Sequence, residues 1–216
     1  MTALGWSHND HFHGWVVRRL RAARGPAVGV LDVGCGNGGL VAALRSRGFA
    51  PVVGIDPDPA MARSATERFA ADDDVTVART SFFDLARGDG LVPDGGAAAL
   101  TMVASLHHLA HQNGLEPSLR HARELLAPGG RLVVVGLARP TTPADFAVDL
   151  ASIVLNRVMG LAKRVAGAPR WVEDGMPVRD PDESFTQVVR AAQTVLPGAR
   201  VRRRLWFRYT LEWSAA

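Results

Sequence analysis

Val30-Leu31-Asp32-Val33-Gly34-Cys35-Gly36-Asn37-Gly38-Gly39-Leu40 is the stretch on which the fold of this chain turns. An apolar run ends in a glycine-dense loop, and an apolar-periodic segment with few breakers follows. That profile reads as a buried strand passing through a tight turn into a helix. Glycine supplies positive φ angles and removes the Cβ that would hold a ligand off the backbone. A loop of this kind lets a small molecule lie against the main chain.

From Ala27 onward, apolar runs alternate with helical patterns, which implies parallel strands joined by crossover helices. Strands are expected over 28–33, 51–55, 75–78, 97–104 and 131–137. Helices are expected over 39–47, from Pro57 to the acidic turn Asp72-Asp73-Asp74, and over 115–126, where Pro128 and Gly129-Gly130 stop the last. Beyond that the alternation breaks. Phe146, Leu150, Ile153, Val154, Val158, Leu161 and Val165 follow helical spacing, and 166–181 is a loop rich in Gly and Pro that holds Trp171. A helix over 182–196 and closing strands over 199–205 and 208–213 complete the chain. Before all this, Ser7 to His13 leads into a helix with Phe12, Trp15, Val16 and Leu20 on one face.

The length of 216 residues suits one domain with its own core, and 47% hydrophobic with 21% charged residues excludes a disordered chain. Cys35 is the single cysteine, so no intrachain disulfide or cysteine zinc site can form. His11 and His13 stand two apart, cannot share a helical face, and meet no carboxylate–histidine set, so no metal is expected. The segment 146–165 carries Asp149, Arg157, Lys163 and Arg164 and is not a membrane span. With no secretory signal near Trp6 to His13, the expected location is cytoplasmic. Arg200, Arg202, Arg203, Arg204 and Arg208 alternate with Val201, Leu205 and Phe207, as on a strand with one solvated face. Nucleic acid is therefore not the expected partner, despite a net charge of +4.

Gly34, Gly36 and Gly39 also spell G-x-G-x-x-G, with Asp56 twenty residues past Gly36, so a dinucleotide fingerprint must be weighed. Asp32 stands where dinucleotide folds usually have an apolar residue, and Leu125-Leu126-Ala127-Pro128-Gly129-Gly130-Arg131-Leu132 follows downstream. In that order, across residues 27–137, these pieces resemble the class I S-adenosylmethionine-dependent methyltransferases. Val103-Ala104-Ser105-Leu106-His107-His108-Leu109 resembles their small-molecule, type 11-like branch. An N/D-P-P-Y/F motif, a Pro-Cys nucleophile and a Lys-Asp-Lys-Glu tetrad are all absent.

The resemblance implies a Rossmann-like, doubly wound α/β sheet of seven mostly parallel strands with the last reversed. It implies one domain: a lid helix in 1–26, a cofactor core in 27–137, an inserted helix and loop in 138–181, and a closing helix and strands in 182–216. S-adenosylmethionine would lie on Gly34, Cys35, Gly36 and Ala104, with Asp32 supporting the loop or the donor's ammonium group. Asp56 would accept from the ribose diol, Pro57 and Met61 would pack on adenine, and Phe83 and Asp84 would bind its edge. His107 or His108 would take a proton where the acceptor has one to lose. His8, His11, Trp171 and Tyr209 would line the acceptor side. The expected enzyme is a monomer or homodimer that methylates a small aromatic or heterocyclic metabolite. An RNA methyltransferase using the arginine cluster, or a non-catalytic donor-binding regulator, are the alternatives.

Overall fold

The computed structural model describes residues 8–21, 29–143, 145, 146, 148, 152 and 179–216. Its strands are β1 (Val30–Val33), β2 (Val52–Ile55), β3 (Val75–Ala78), β4 (Ala97–Val103), β5 (Leu126–Leu137), β6 (Arg200–Arg203) and β7 (Arg208–Ser214). They form one sheet of seven strands in the order β3-β2-β1-β4-β5-β7-β6. β1 to β5 pair in parallel. β7 is antiparallel to both β5 and β6, so β7 alone is reversed and β6 again runs with the parallel strands. This is the doubly wound α/β sheet with a reversed last strand. Chain order changes direction at β1 and β4, and the crevice beyond their C-terminal ends is where such sheets bind ligands.

The helices are α1 (His8–Leu20), α2 (Gly39–Arg45), α3 (Pro59–Arg68), α4 (Leu106–Asn113), α5 (Leu115–Leu125) and α6 (Phe185–Val195). Successive strand residues point to opposite faces, so each central strand feeds two cores. Val30, Val52, Ala99, Val133 and Val135 pack with α1 and α2. Leu31, Val33, Leu100, Met102, Leu132 and Val134 pack with α4, α5 and α6 on the other face. Among the described residues, no helix is long and apolar enough to cross a membrane.

Several elements differ from the sequence reading for identifiable reasons. α3 begins at Pro59 rather than Pro57, because the Asp58 carboxylate caps it by accepting from the amides of Ala60 and Met61. β5 begins at Leu126, before the residues read as a stop. A Cβ on Gly130 would lie 2.7 Å from the Ala127 carbonyl oxygen and 2.9 Å from that of Ala97, so only glycine lets the irregular entry pass β4. α4 is a helix where a strand end and loop were expected. Its signal was present in the spacing of Leu106, Leu109 and Ala110 and in Gly114 as its stop.

α1 is a core helix rather than a detachable lid, since Phe12, Val16, Val17 and Leu20 are all buried against the sheet. β6 ends at Arg203, which turns inward beneath Phe185 and 3.7 Å from Asp145, while Leu205 is exposed. The inserted helix and the loop with Trp171 lie almost wholly outside the described residues.

Tyr209, read as an acceptor contact, is a core residue. It is 1% exposed, packs near Phe185, and fills the space that a side chain at Gly136 would need. Burial also raises the Tyr209 phenol far above its usual range. Replacing it with Ala should therefore cost about 3–5 kcal/mol in urea unfolding. Donor affinity in the folded fraction should not change; a stable variant with impaired acceptor binding would restore the original reading.

Candidate active site

The glycine loop is laced to the end of β2 by its own amides. Gly34 and Cys35 both donate to the Ile55 carbonyl, at 2.8 and 3.0 Å. Gly36 donates to Asp56 Oδ2 at 2.9 Å, and the Asp58 amide donates to Asp56 Oδ1 at 2.9 Å. Three successive amides expected to face a ligand are thus used internally.

Gly34 is required twice over. Its φ is +73°, and a Cβ there would lie 2.6 Å from the Ser105 Cβ. Ser105 occupies the N-cap of α4, yet its hydroxyl does not cap that helix. It donates across to the Val33 carbonyl at 2.6 Å. The end of β1 and the start of α4 are therefore pinned together. Ala104 just before it has φ 57°, and Trp206 and Phe207 have φ 65° and 59°. Among the described residues these are the only non-glycine residues in the left-handed region, and all three sit at the C-terminal edge of the sheet. Strain of this sort persists where surrounding structure over-determines it, often at functional sites.

Two carboxylates dominate the donor side. Asp32 is 2% exposed and lies in register between Gly54 and Thr101, whose hydroxyl donates to it at 2.7 Å. Burial pushes its carboxyl up to about 7; the Thr101 bond opposes this and the charge of Asp56 adds to it. Asp56 is also raised, chiefly by burial, against the pull of the Asp58 and Gly36 amides. Two buried carboxylates, both held above the usual carboxylate range chiefly by burial, suit a positively charged ligand, which would stabilise both in ionised form. The carboxylate of Asp56 also suits a diol.

The other expected donor contacts are spread around this pair. The Cys35 thiol packs over Gly54 in the α2 core, and burial, followed by Asp32 and Asp56, drives its pKa up strongly, so only its backbone is left for a ligand. Pro57 is exposed and Met61 half-buried at the start of α3. Phe83 and Asp84 lie in the single turn Phe82–Asp84 after β3, where the Phe83 ring stacks on His121 at 5.3 Å and Asp84 is exposed.

The structure separates the two adjacent histidines. His107 is 5% exposed, and its Nδ1 finds no partner among the described residues. Burial, then His108 and Arg208, lowers it to about 4. His108 is half-buried with its ring 4.2 Å from that of His107. Its pKa is lowered by burial and then by the charge of Arg179, while the charge of Asp56 acts the other way. Sequence reasoning missed Arg179 and His111. Arg179 Nη2 and Asp182 Oδ2 each lie 2.8 Å from His111 Nδ1, tying the start of α6 to α4. His11 is exposed at the same edge, 6.0 Å from Trp206; the side chain of His8 and all of Trp171 fall outside the described residues.

Asp32 and His107 make opposite pH predictions. With a folded pKa near 7 against 3.8, Asp32 binds more protons in the folded state, so its effect on stability worsens as pH rises between those values. His107 favours the fold above 6.5, and that contribution is lost as pH falls toward about 4. Asp32→Asn should therefore raise ligand-free stability by about 1–3 kcal/mol at pH 8 and by less at pH 5. Urea unfolding at both values tests this; a gain that is equal or larger at pH 5 would contradict a buried charge at Asp32.

Known proteins place this geometry. The family model for a methyltransferase domain matches residues 31–132. Uncharacterized methyltransferases of Mycobacterium tuberculosis and Mycobacterium bovis are 33% identical over 187 residues, covering 86% of this chain and 86% of each relative. Magnesium protoporphyrin IX methyltransferase of Synechocystis, solved with bound S-adenosylhomocysteine, superposes with a TM-score of 0.56 at 19% identity, over 96% of this chain and 81% of that one. The mitomycin 7-O-methyltransferase superposes at 0.60 and 19%, over 96% and 54%. At such identities the superpositions speak for the fold, whereas the mycobacterial relatives speak for the family. With an acidic strand end, a glycine loop laced to a second carboxylate, and relatives a third identical along most of its length, the chain belongs to the class I S-adenosylmethionine-dependent methyltransferases.

Proposed function

We propose that this enzyme methylates a small ring-bearing metabolite held over the C-terminal ends of β4 and β5 and the start of β7. The observation that carries the reading is that the Ser105 hydroxyl pins the start of α4, which bears the half-buried His108, to the end of β1 beside the glycine loop. In that arrangement Asp56 takes the ribose hydroxyls, with Pro57 and Met61 against the adenine. Asp32 and the glycine loop face the amino-acid end. Bound there, the donor supplies an electrophilic methyl group on a sulfonium sulfur. The solved neighbours named for magnesium protoporphyrin IX and mitomycin, both ring compounds, support an acceptor of that class.

The protein's own contribution is positioning and proton transfer. Bringing nucleophile and methyl into line supplies much of the rate. A base matters only if the acceptor's proton leaves in the transition state. His108 is the better base, because His107 near 4 is too weak a base for its neutral form to drive transfer efficiently. His107 then serves as a buried support for His108. Trp206 and the exposed His11 frame the outer side of the acceptor space.

Three measurements test this. Calorimetry should detect S-adenosylmethionine and S-adenosylhomocysteine but not NADH; the reverse would remove the donor assignment. Asp56→Asn, which keeps an acceptor for a backbone amide, should weaken donor binding by about 1.5–3 kcal/mol. Asp56→Ala should lose more, because it also unlaces Gly36. His108→Ala should lower turnover by about 10²–10⁴ with donor affinity unchanged, and His107→Ala should mainly cost stability. Wild-type turnover should fall on acidification with a midpoint below 6.5, since the surroundings of His108 lower its pKa and only neutral imidazole accepts a proton. Full activity of the His108 variant would leave positioning as the whole mechanism.

A further inference from the structure

The arginines of β6 do not stand alone, and their neighbours change what they can do. Arg200 and Arg202 are exposed and lie opposite Glu212 and Thr210, so they share one face of the sheet. Arg204 continues that row, donating to the Thr210 hydroxyl at 3.1 Å. Its guanidinium lies 5.8 Å from the Trp15 ring of α1, and Arg19 lies 5.5 Å from the same ring. Arg131 joins from β5 by donating to the Arg19 carbonyl. Among the residues named, Glu212 is the one acid, and it pairs with Arg19 at 3.2 Å. Sequence alternation alone suggests a solvated strand face. The tertiary structure makes it a mainly basic surface assembled from α1, β5 and β6 around an indole, with Glu212 neutralised by its pair with Arg19.

We infer that this surface docks the phosphate backbone of a single-stranded nucleic acid. Alternate residues on an extended strand are spaced about 6.6–6.8 Å apart, so Arg200, Arg202 and Arg204 repeat cations along a line. Regularly spaced cations beside an aromatic ring are what a flexible single strand follows, with little regard to base sequence. β6 runs parallel to β1, so the row of arginines leads from the far edge of the sheet to the edge that carries His108 and Trp206. Guanidinium groups also match phosphate geometry better than ammonium groups do. This surface is separate from the acceptor space and does not depend on which metabolite is methylated.

The test uses the full chain and a fluorescein-labelled polyuridine RNA of about 12 nucleotides, within the usual range for single-strand sites. Anisotropy titrations from about 50 to 200 mM KCl should give binding whose logarithm falls with log salt at a slope of about −2 to −3. The double variant Arg200→Glu/Arg202→Glu should bind at least about tenfold more weakly and lose about 1–2 units of that slope. Its melting temperature and S-adenosylmethionine affinity should match the wild type, because both side chains are exposed and remote from the donor loop. No binding at the lowest salt, or equal binding by the variant, would overturn the inference. So would retention on phosphatidylserine vesicles with none on the RNA, which would make the surface a lipid contact.

Discussion

The structure hangs on the Asp56 carboxylate at the end of β2. One oxygen accepts the Gly36 amide and the other accepts the Asp58 amide, so a single buried group holds the glycine loop and orients the entry to α3. The Asp58 side chain then caps that helix itself. A carboxylate with two amide donors is stabilised in ionised form, yet burial still raises its proton affinity. The balance leaves a charged group that is structurally satisfied but electrostatically receptive to a cation. Loop shape and ligand preference therefore come from the same residue.

Charge is divided across the edge of the sheet where β1 and β4 part. Asp32 and Asp56 sit on one side, and His107, His108, Arg179 and Arg208 on the other. In the proposed function, a donor that arrives positive and leaves neutral at sulfur would be held by the acidic side before reaction and released from part of that attraction after it. On the other side, burial first and neighbouring charges second lower the pKa of both histidines, which favours the neutral form able to accept a proton. Ser105 ties the halves mechanically, since its hydroxyl reaches the Val33 carbonyl while its own carbonyl receives the His108 amide at 3.0 Å.

Backbone strain falls at the same edge. Ala104 turns β4 into α4 with a positive φ, and Trp206 and Phe207 do the same between β6 and β7. Bulky residues in that region cost free energy, and here the cost is offset by anchoring. The Ala104 amide donates to Val135, and the Trp206 amide donates to the Ser152 hydroxyl at 2.9 Å. Sheet and helices supply a rigid floor, and the strained joints aim its rim.

The order of elements, the glycine loop and the placing of Asp32 and Asp56 on and just after strands were legible in the sequence because each depends on local rules. Period-two apolarity makes strands, glycine permits positive φ, and a carboxylate at a strand end meets the ligand crevice. Tyr209 was misread because a lone aromatic carries no signal for which face it joins; register with Gly136 decides that. α4 was missed because its signal, the spacing of Leu106, Leu109 and Ala110 with Gly114 as stop, spans only eight residues directly after a strand. Which loop amides remain for a ligand, which histidine is the more buried, and whether scattered arginines converge on Trp15 all depend on contacts between residues far apart in the chain. Local sequence determined the elements and the chemistry available to them; packing decided which groups were already spent.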